Sequence, residues 1–71
     1  MTKVTNRRLA DATGLTISAA SYLRNNKRRP SPGTMLRVKS WTGWSVEDQV
    51  VSRERGTYGT DLVAVLAAIP A

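Results

Sequence analysis

Apolar residues in this chain come in five short clusters, separated by glycine, proline and charged breaks. In the first, Thr5 is a good N-cap, and Leu9, Ala10 and Thr13 give helical spacing to Asn6–Ala12. Gly14 stands where the chain must leave that helix, because a left-handed backbone costs glycine nothing sterically. Leu15 follows as a plug for the core, and Thr16 caps a second helix over Ile17–Asn25. The 3.6-residue period turns Ala20 and Leu23 inward and leaves Ile17 at one edge. Ser18, Ser21, Tyr22 and Asn25 fall on the outward face. Ala10 and Ala20 are small enough to let two helices cross closely over a very short turn.

The segment Asn25–Gly33, NNKRRPSPG, reads as a loop, since Pro30 disfavours helix at Arg29. Ser31 then caps a third helix, with Pro32 at its first position, running to about Trp41 with Met35, Leu36, Val38 and Trp41 on its apolar side. Gly43 ends it. Ser45 and Asp48 have the spacing of a capping box for a short fourth helix, Val46–Ser52, which offers Val46, Val50 and Val51 inward. The stretch Arg53–Gly59, RERGTYG, reads as a polar connector. Thr60 or Asp61 caps a last helix, Leu62–Ile69, whose Leu62, Val65, Leu66 and Ile69 form one stripe. Pro70 stops it. The expected fold is all-α: one compact domain of four to five helices over residues 1–71, a helix-turn-helix at about 5–25 and a C-terminal helix at about 61–69.

Seventy-one residues give a thin core near the lower size limit for independent folding. With no cysteine, neither a disulfide nor a thiolate metal site can reinforce it, and a reducing compartment is permitted. With no histidine, the commonest general base and metal ligand is missing too. The N-terminus has no apolar run of signal-peptide length, and Leu62–Ile69 is far too short to span a bilayer. A cytoplasmic location follows as an expectation. The formal net charge is +6, and its placement says more than its size. Residues 1–29 hold Lys3, Arg7, Arg8, Arg24, Lys27, Arg28 and Arg29 against Asp11 alone, whereas residues 30–71 hold four basic and four acidic side chains. All the excess charge therefore lies with the first two helices, a distribution that favours a polyanionic partner.

Taken together, TNRRLADATGLTISAASYL, the exit RNNKRRPSPGTMLRVKSW and the segment GWSVEDQV resemble the lambda-repressor/Cro-like helix-turn-helix family, over about residues 5–50. The resemblance implies double-stranded DNA as partner, with the helix at about 17–25 in the major groove. It implies base contacts by Ile17, Ser18, Ser21, Tyr22 and Arg24. It implies phosphate contacts by Asn6, Arg7, Arg8, Thr16, Asn25, Lys27, Arg28 and Arg29. Ser18 and Ser21 can donate or accept, Ile17 can touch a thymine methyl or belong to the core, and Arg24 is the candidate for bidentate guanine reading or for a phosphate. Tyr22 could instead pack on the Arg28/Pro30 loop. Trp41 and Trp44 flank Gly43 away from the basic segment, which favours packing over base stacking.

Two departures from the family pattern stand out. Ile17 occupies a position where a long polar side chain is common. Only MTKV precedes Thr5, so the helix that usually comes ahead of the motif is missing or a stub. Leu9, Leu15 and Leu36 then need another cover, either the C-terminal helix or a partner subunit. A homodimer on a pseudo-palindrome is the expected binding form, through the C-terminal stripe or Val50–Arg55. If the stripe replaces the missing helix, it is less available for that contact, and the chain is expected as a monomer in solution.

An enzyme is not expected: Glu47 and Asp48 are adjacent and point apart on a helix, and no phosphate-binding glycine loop, metal-ligand cluster or nucleophile–base set is present. No cofactor, metal or small-molecule substrate is implied. The function expected is that of a sequence-specific transcriptional regulator, a repressor or Cro-like protein of phage or bacterial type acting at the host nucleoid. Two other readings stay open. The ending AAIPA lacks a polar tail, so the chain could be the DNA-binding module of a longer repressor. Or its basic face could dock on an acidic protein without reading sequence.

Overall fold

Four of the five helices start in the same way. Thr5, Thr16, Ser31 and Ser45 are extended residues whose side-chain oxygens accept from the backbone N–H three residues on, at Arg8, Ala19, Thr34 and Asp48, over 3.1–3.3 Å. Such a cap is worth about 1 kcal/mol. In the computed structural model, which describes residues 3–69, these caps open α1 (Asn6–Thr13), α2 (Ile17–Arg24), α3 (Pro32–Thr42) and α4 (Val46–Arg55). The fifth helix, α5 (Tyr58–Ala67), starts differently. Its N-cap residue, Thr57, makes no side-chain capping bond. The N–H of Gly59 instead donates to Oδ1 of Asn26, 2.8 Å away in the loop after α2.

The domain is all-α among its described residues, about 27 × 24 × 19 Å. α1 packs on α2 and α3, α3 on α4, and α5 lies across α2 and α4. One core joins α1, α2, α3 and α5 through Val4, Leu9, Ala10, Ala12, Ala20, Leu23, Met35, Val38, Tyr58, Leu62 and Leu66, with Val50 of α4 packed against it. The small-residue reasoning for the α1–α2 crossing holds, since Ala10 and Ala20 are both buried there. Val4 shows that the short N-terminal segment contributes a core side chain. None of the five helices is long and apolar enough to cross a membrane.

α5 comes very close to the end of α2. A Cβ on Gly59 would lie only 2.0 Å from the carbonyl oxygen of Leu23 and 2.6 Å from that of Arg24. Only glycine lets the α5 backbone come this near to the end of α2.

Three expectations need correction. The fourth helix extends to Arg55 and is rotated from the expected phase. Gln49 and Ser52 are its buried residues, Val46 and Val50 are half-buried, and Val51 is 54% exposed. The inward polar side chains are paired. Gln49 Nε2 donates to the carbonyls of Met35 and Trp44, both at 2.9 Å, and its Oε1 accepts from the Tyr58 hydroxyl at 2.7 Å. Second, the connector expected at Arg53–Gly59 contains the start of α5, and Tyr58 is buried there, stacked on Trp44 with ring centroids 5.3 Å apart. Third, Leu36 is 61% exposed and Trp41 is exposed as well, so neither is part of the core and no cover for Leu36 is needed. Leu9 is fully buried within the single chain, and Leu15 packs half-buried against the core. The stop expected at Pro70 lies outside the described residues.

Candidate nucleic-acid interface

The site is built on the turn between α1 and α2. Gly14 ends α1 at φ +75°, and its N–H donates to the Ala10 carbonyl at 2.8 Å. A side chain here would meet the Arg37 side chain at 2.9 Å in a left-handed backbone region that L residues rarely enter. Arg37 lies over the turn, and its Nε donates to the Asp11 carbonyl at 3.1 Å. Thr13 braces the same turn from inside, with its hydroxyl donating to the Leu9 carbonyl at 2.6 Å. α2 is thus launched from a rigid corner.

α2 buries Ala20 and Leu23 and leaves its opposite face open. Ser18 and Asn25 are exposed, Ser21 is half-buried, and Tyr22 is 58% exposed, so Tyr22 is not packed away under the loop. Ile17, for which core and surface stood as alternatives, is on the surface at 54% exposure. The Thr16 hydroxyl is used as the α2 cap, and Asn25 Nδ2 donates to the Ser21 carbonyl at 3.0 Å.

Two arginines are placed differently from the expectation. Arg24, expected to read a base or hold a phosphate, donates from Nη1 to the Val4 carbonyl at 2.6 Å and to Asn6 Oδ1 at 3.2 Å. It is half-buried and clamps the N-terminal segment onto the end of α2, which also occupies the Asn6 side chain expected on a phosphate. Arg8 donates from Nη2 to the Ile69 carbonyl at 3.0 Å and ties α1 to the end of α5. Both are half-buried, with long apolar stems along the fold and guanidinium groups that reach backbone carbonyls of other segments. Arg7 on α1 and Lys27, Arg28 and Arg29 in the loop after α2 remain exposed. Among the described residues the ion pair found is Arg53–Glu54 at 3.4 Å, so the charge of the first two helices is not neutralised within the fold.

Sequence reasoning missed Asn26. It takes φ +60° and closes α2 with two backbone bonds, its own N–H to Leu23 and that of Lys27 to Tyr22, at 3.1 and 3.0 Å. It also caps α5 through Gly59 and donates to the Thr60 hydroxyl at 3.1 Å. The available signal was asparagine itself, the side chain after glycine most tolerant of that conformation. Behind the site, hydrogen bonds from the hydroxyls of Ser52 and Thr57, with the nearby Arg55 charge, hold the Asp61 carboxyl below its usual range against the opposing effect of burial. Burial pushes the Tyr58 hydroxyl well above its ordinary value, so it stays a neutral donor to Gln49.

Comparison with protein-family models, curated proteins and solved structures finds no match to this chain.

Proposed function

We propose that this chain is a sequence-specific double-stranded DNA-binding transcriptional regulator of the repressor or Cro-like kind, with α2 seated in the major groove. The observation that carries this reading is the open face of α2. It is presented by a glycine corner and left open by the other described residues, and the exposed cations Lys27, Arg28 and Arg29 follow its end, with Arg7 exposed on α1 and no acid paired to any of the four among the described residues. Helices of this kind read base edges through their N-terminal half while neighbouring cations settle on phosphates. Ile17, Ser18, Ser21 and Tyr22 are the base readers on this reading. Thr16, Asn25 and the four exposed cations hold the backbone. Arg8, Arg24 and Asn6 shape the surface without reading it. A bacterial nucleoid, in a phage or host context, is the setting that goes with this function.

The test is selection from a randomised duplex library at near-physiological salt with the 71-residue chain. The expected result is enrichment of a short defined site. An inverted repeat would establish a dimeric reader, and a single asymmetric site a monomeric one. Retention without enrichment, lost as salt rises, would overturn the reading and leave the basic face as a surface for docking acidic proteins.

A further inference from the structure

Between the loop after α2 and the end of α4 lies a half-open hollow of about 170 Å³. Arg28 and Arg29 reach it from the loop and Arg53 from the last turn of α4, with Asn26, Gly56 and the Tyr58 ring completing the wall. No acidic residue lines it. The Tyr58 hydroxyl donates to Gln49 and Asn26 Oδ1 accepts from Gly59, and neither is hydrogen-bonded to the arginines among the described residues. The Nε of Arg53 is buried and has no hydrogen-bond partner among the described residues. Its Nη2 has only Glu54, its chain neighbour, at 3.4 Å. A buried, unsatisfied guanidinium donor is costly, and an acceptor supplied from outside the chain removes that cost.

We infer that this hollow is a binding site for a phosphate group. Three arginines line it, and a guanidinium can donate two parallel bonds to one anion. A carboxylate has two oxygens to offer, whereas a tetrahedral phosphate offers more acceptors and up to two negative charges. The Pro30 and Tyr58 rings beside the arginines keep water partly out and strengthen each charge-assisted bond. The phosphate belongs either to a nucleic-acid backbone or to a small phosphorylated ligand, and the chemistry of the hollow is the same for both. The site shares Arg28 and Arg29 with the DNA-reading proposal and adds Arg53, the end of α4 and the α5 corner, which that proposal does not use; phosphate binding at Arg53 is therefore the part that stands or falls separately from duplex reading by α2.

The test follows backbone amides of the full chain by NMR during titration with inorganic phosphate, at ionic strength matched with chloride. Saturable shifts confined to Asn26, Arg53 and Gly56 are expected, and Arg53→Gln should weaken them about tenfold or more, the size of one lost charge-assisted bond. Arg29→Gln, a change in the exposed loop, should weaken them as well and covers the case in which Arg53→Gln disturbs α4. Shifts that rise linearly, that chloride reproduces, or that both variants leave unchanged would overturn the site. Adding duplex then assigns the source. Displacement of phosphate with the same amides shifted indicates a backbone phosphodiester, and amides that keep their phosphate in the presence of duplex indicate a small phosphorylated ligand.

Discussion

Arg7 and Arg8 are neighbours in sequence, yet the fold gives them separate roles. Arg7 is exposed on α1 with no partner among the described residues, whereas Arg8 is half-buried and donates to the Ile69 carbonyl at 3.0 Å. A cation free to meet a phosphate releases counterions on binding, and one already committed to a carbonyl does not. On a duplex that the chain binds, Arg7→Gln should therefore reduce the log–log salt slope by about 0.9 and leave the melting temperature unchanged. Arg8→Gln should leave the slope alone and destabilise the fold by about 1.5–3 kcal/mol, the net worth of one hydrogen bond from a charged group. Salt-dependent binding isotherms and thermal melts of both variants check this, and equal slope changes for the two would remove the distinction. In the sequence the two arginines read alike. What separates them is a carbonyl near the far end of the chain, and no local pattern reports it. Arg24 was illegible as a clamp for the same reason.

Among the elements, helix starts were legible because their causes are local. A serine or threonine three residues before the amide it caps is visible in the sequence, and four starts were read from it at Thr5, Thr16, Ser31 and Ser45. The start of α5 was missed because its cap, Asn26, is 33 residues away. The phase of α4 was misread for a related reason. Hydrophobic periodicity assigns valines to the core, but here Gln49 and Ser52 face inward, satisfied by partners on α3, α5 and the α3–α4 turn. Gln49 is fully buried, and its amide joins three elements at once. Gln49→Leu keeps the volume but strands the Tyr58 hydroxyl and takes a donor from the Trp44 carbonyl, while the Met35 carbonyl keeps its helical partner within α3. It should cost about 1–3 kcal/mol for each group that no water reaches. Pairing it with Tyr58→Phe removes one stranded donor, so the double variant should be more stable than the sum of the two single losses implies. Denaturant melts of the three variants measure that coupling, and strict additivity would show that the bond between the two side chains contributes nothing.

For the molecule as a whole, the question raised by the short N-terminal segment is what completes the core. The stripe on α5 does so in part: Leu62 and Leu66 are buried within the chain, and Tyr58 joins them from the first turn. These residues meet Leu9 and Leu23 in one cluster, with no second subunit needed to cover them. Fully burying three such side chains contributes roughly 4–9 kcal/mol, comparable with the whole stability of a typical domain, and small domains lie at the low end of that range. Removing residues 57–71 should therefore abolish cooperative unfolding, with helicity falling well below the share that α1 to α4 would retain. The intact chain should melt at a temperature independent of its concentration, because a core completed within one chain gains nothing by mass action from a second copy. Circular dichroism of the truncated chain, and melts of the intact chain over a hundredfold range of concentration, test the two halves of this claim. A truncated chain that keeps a cooperative transition would make α5 dispensable. A melting temperature that climbs with concentration would mean that dimerisation contributes to stability. Any dimer formed on an operator would in either case need a surface other than the Leu62 and Leu66 positions, since those two side chains already face inward.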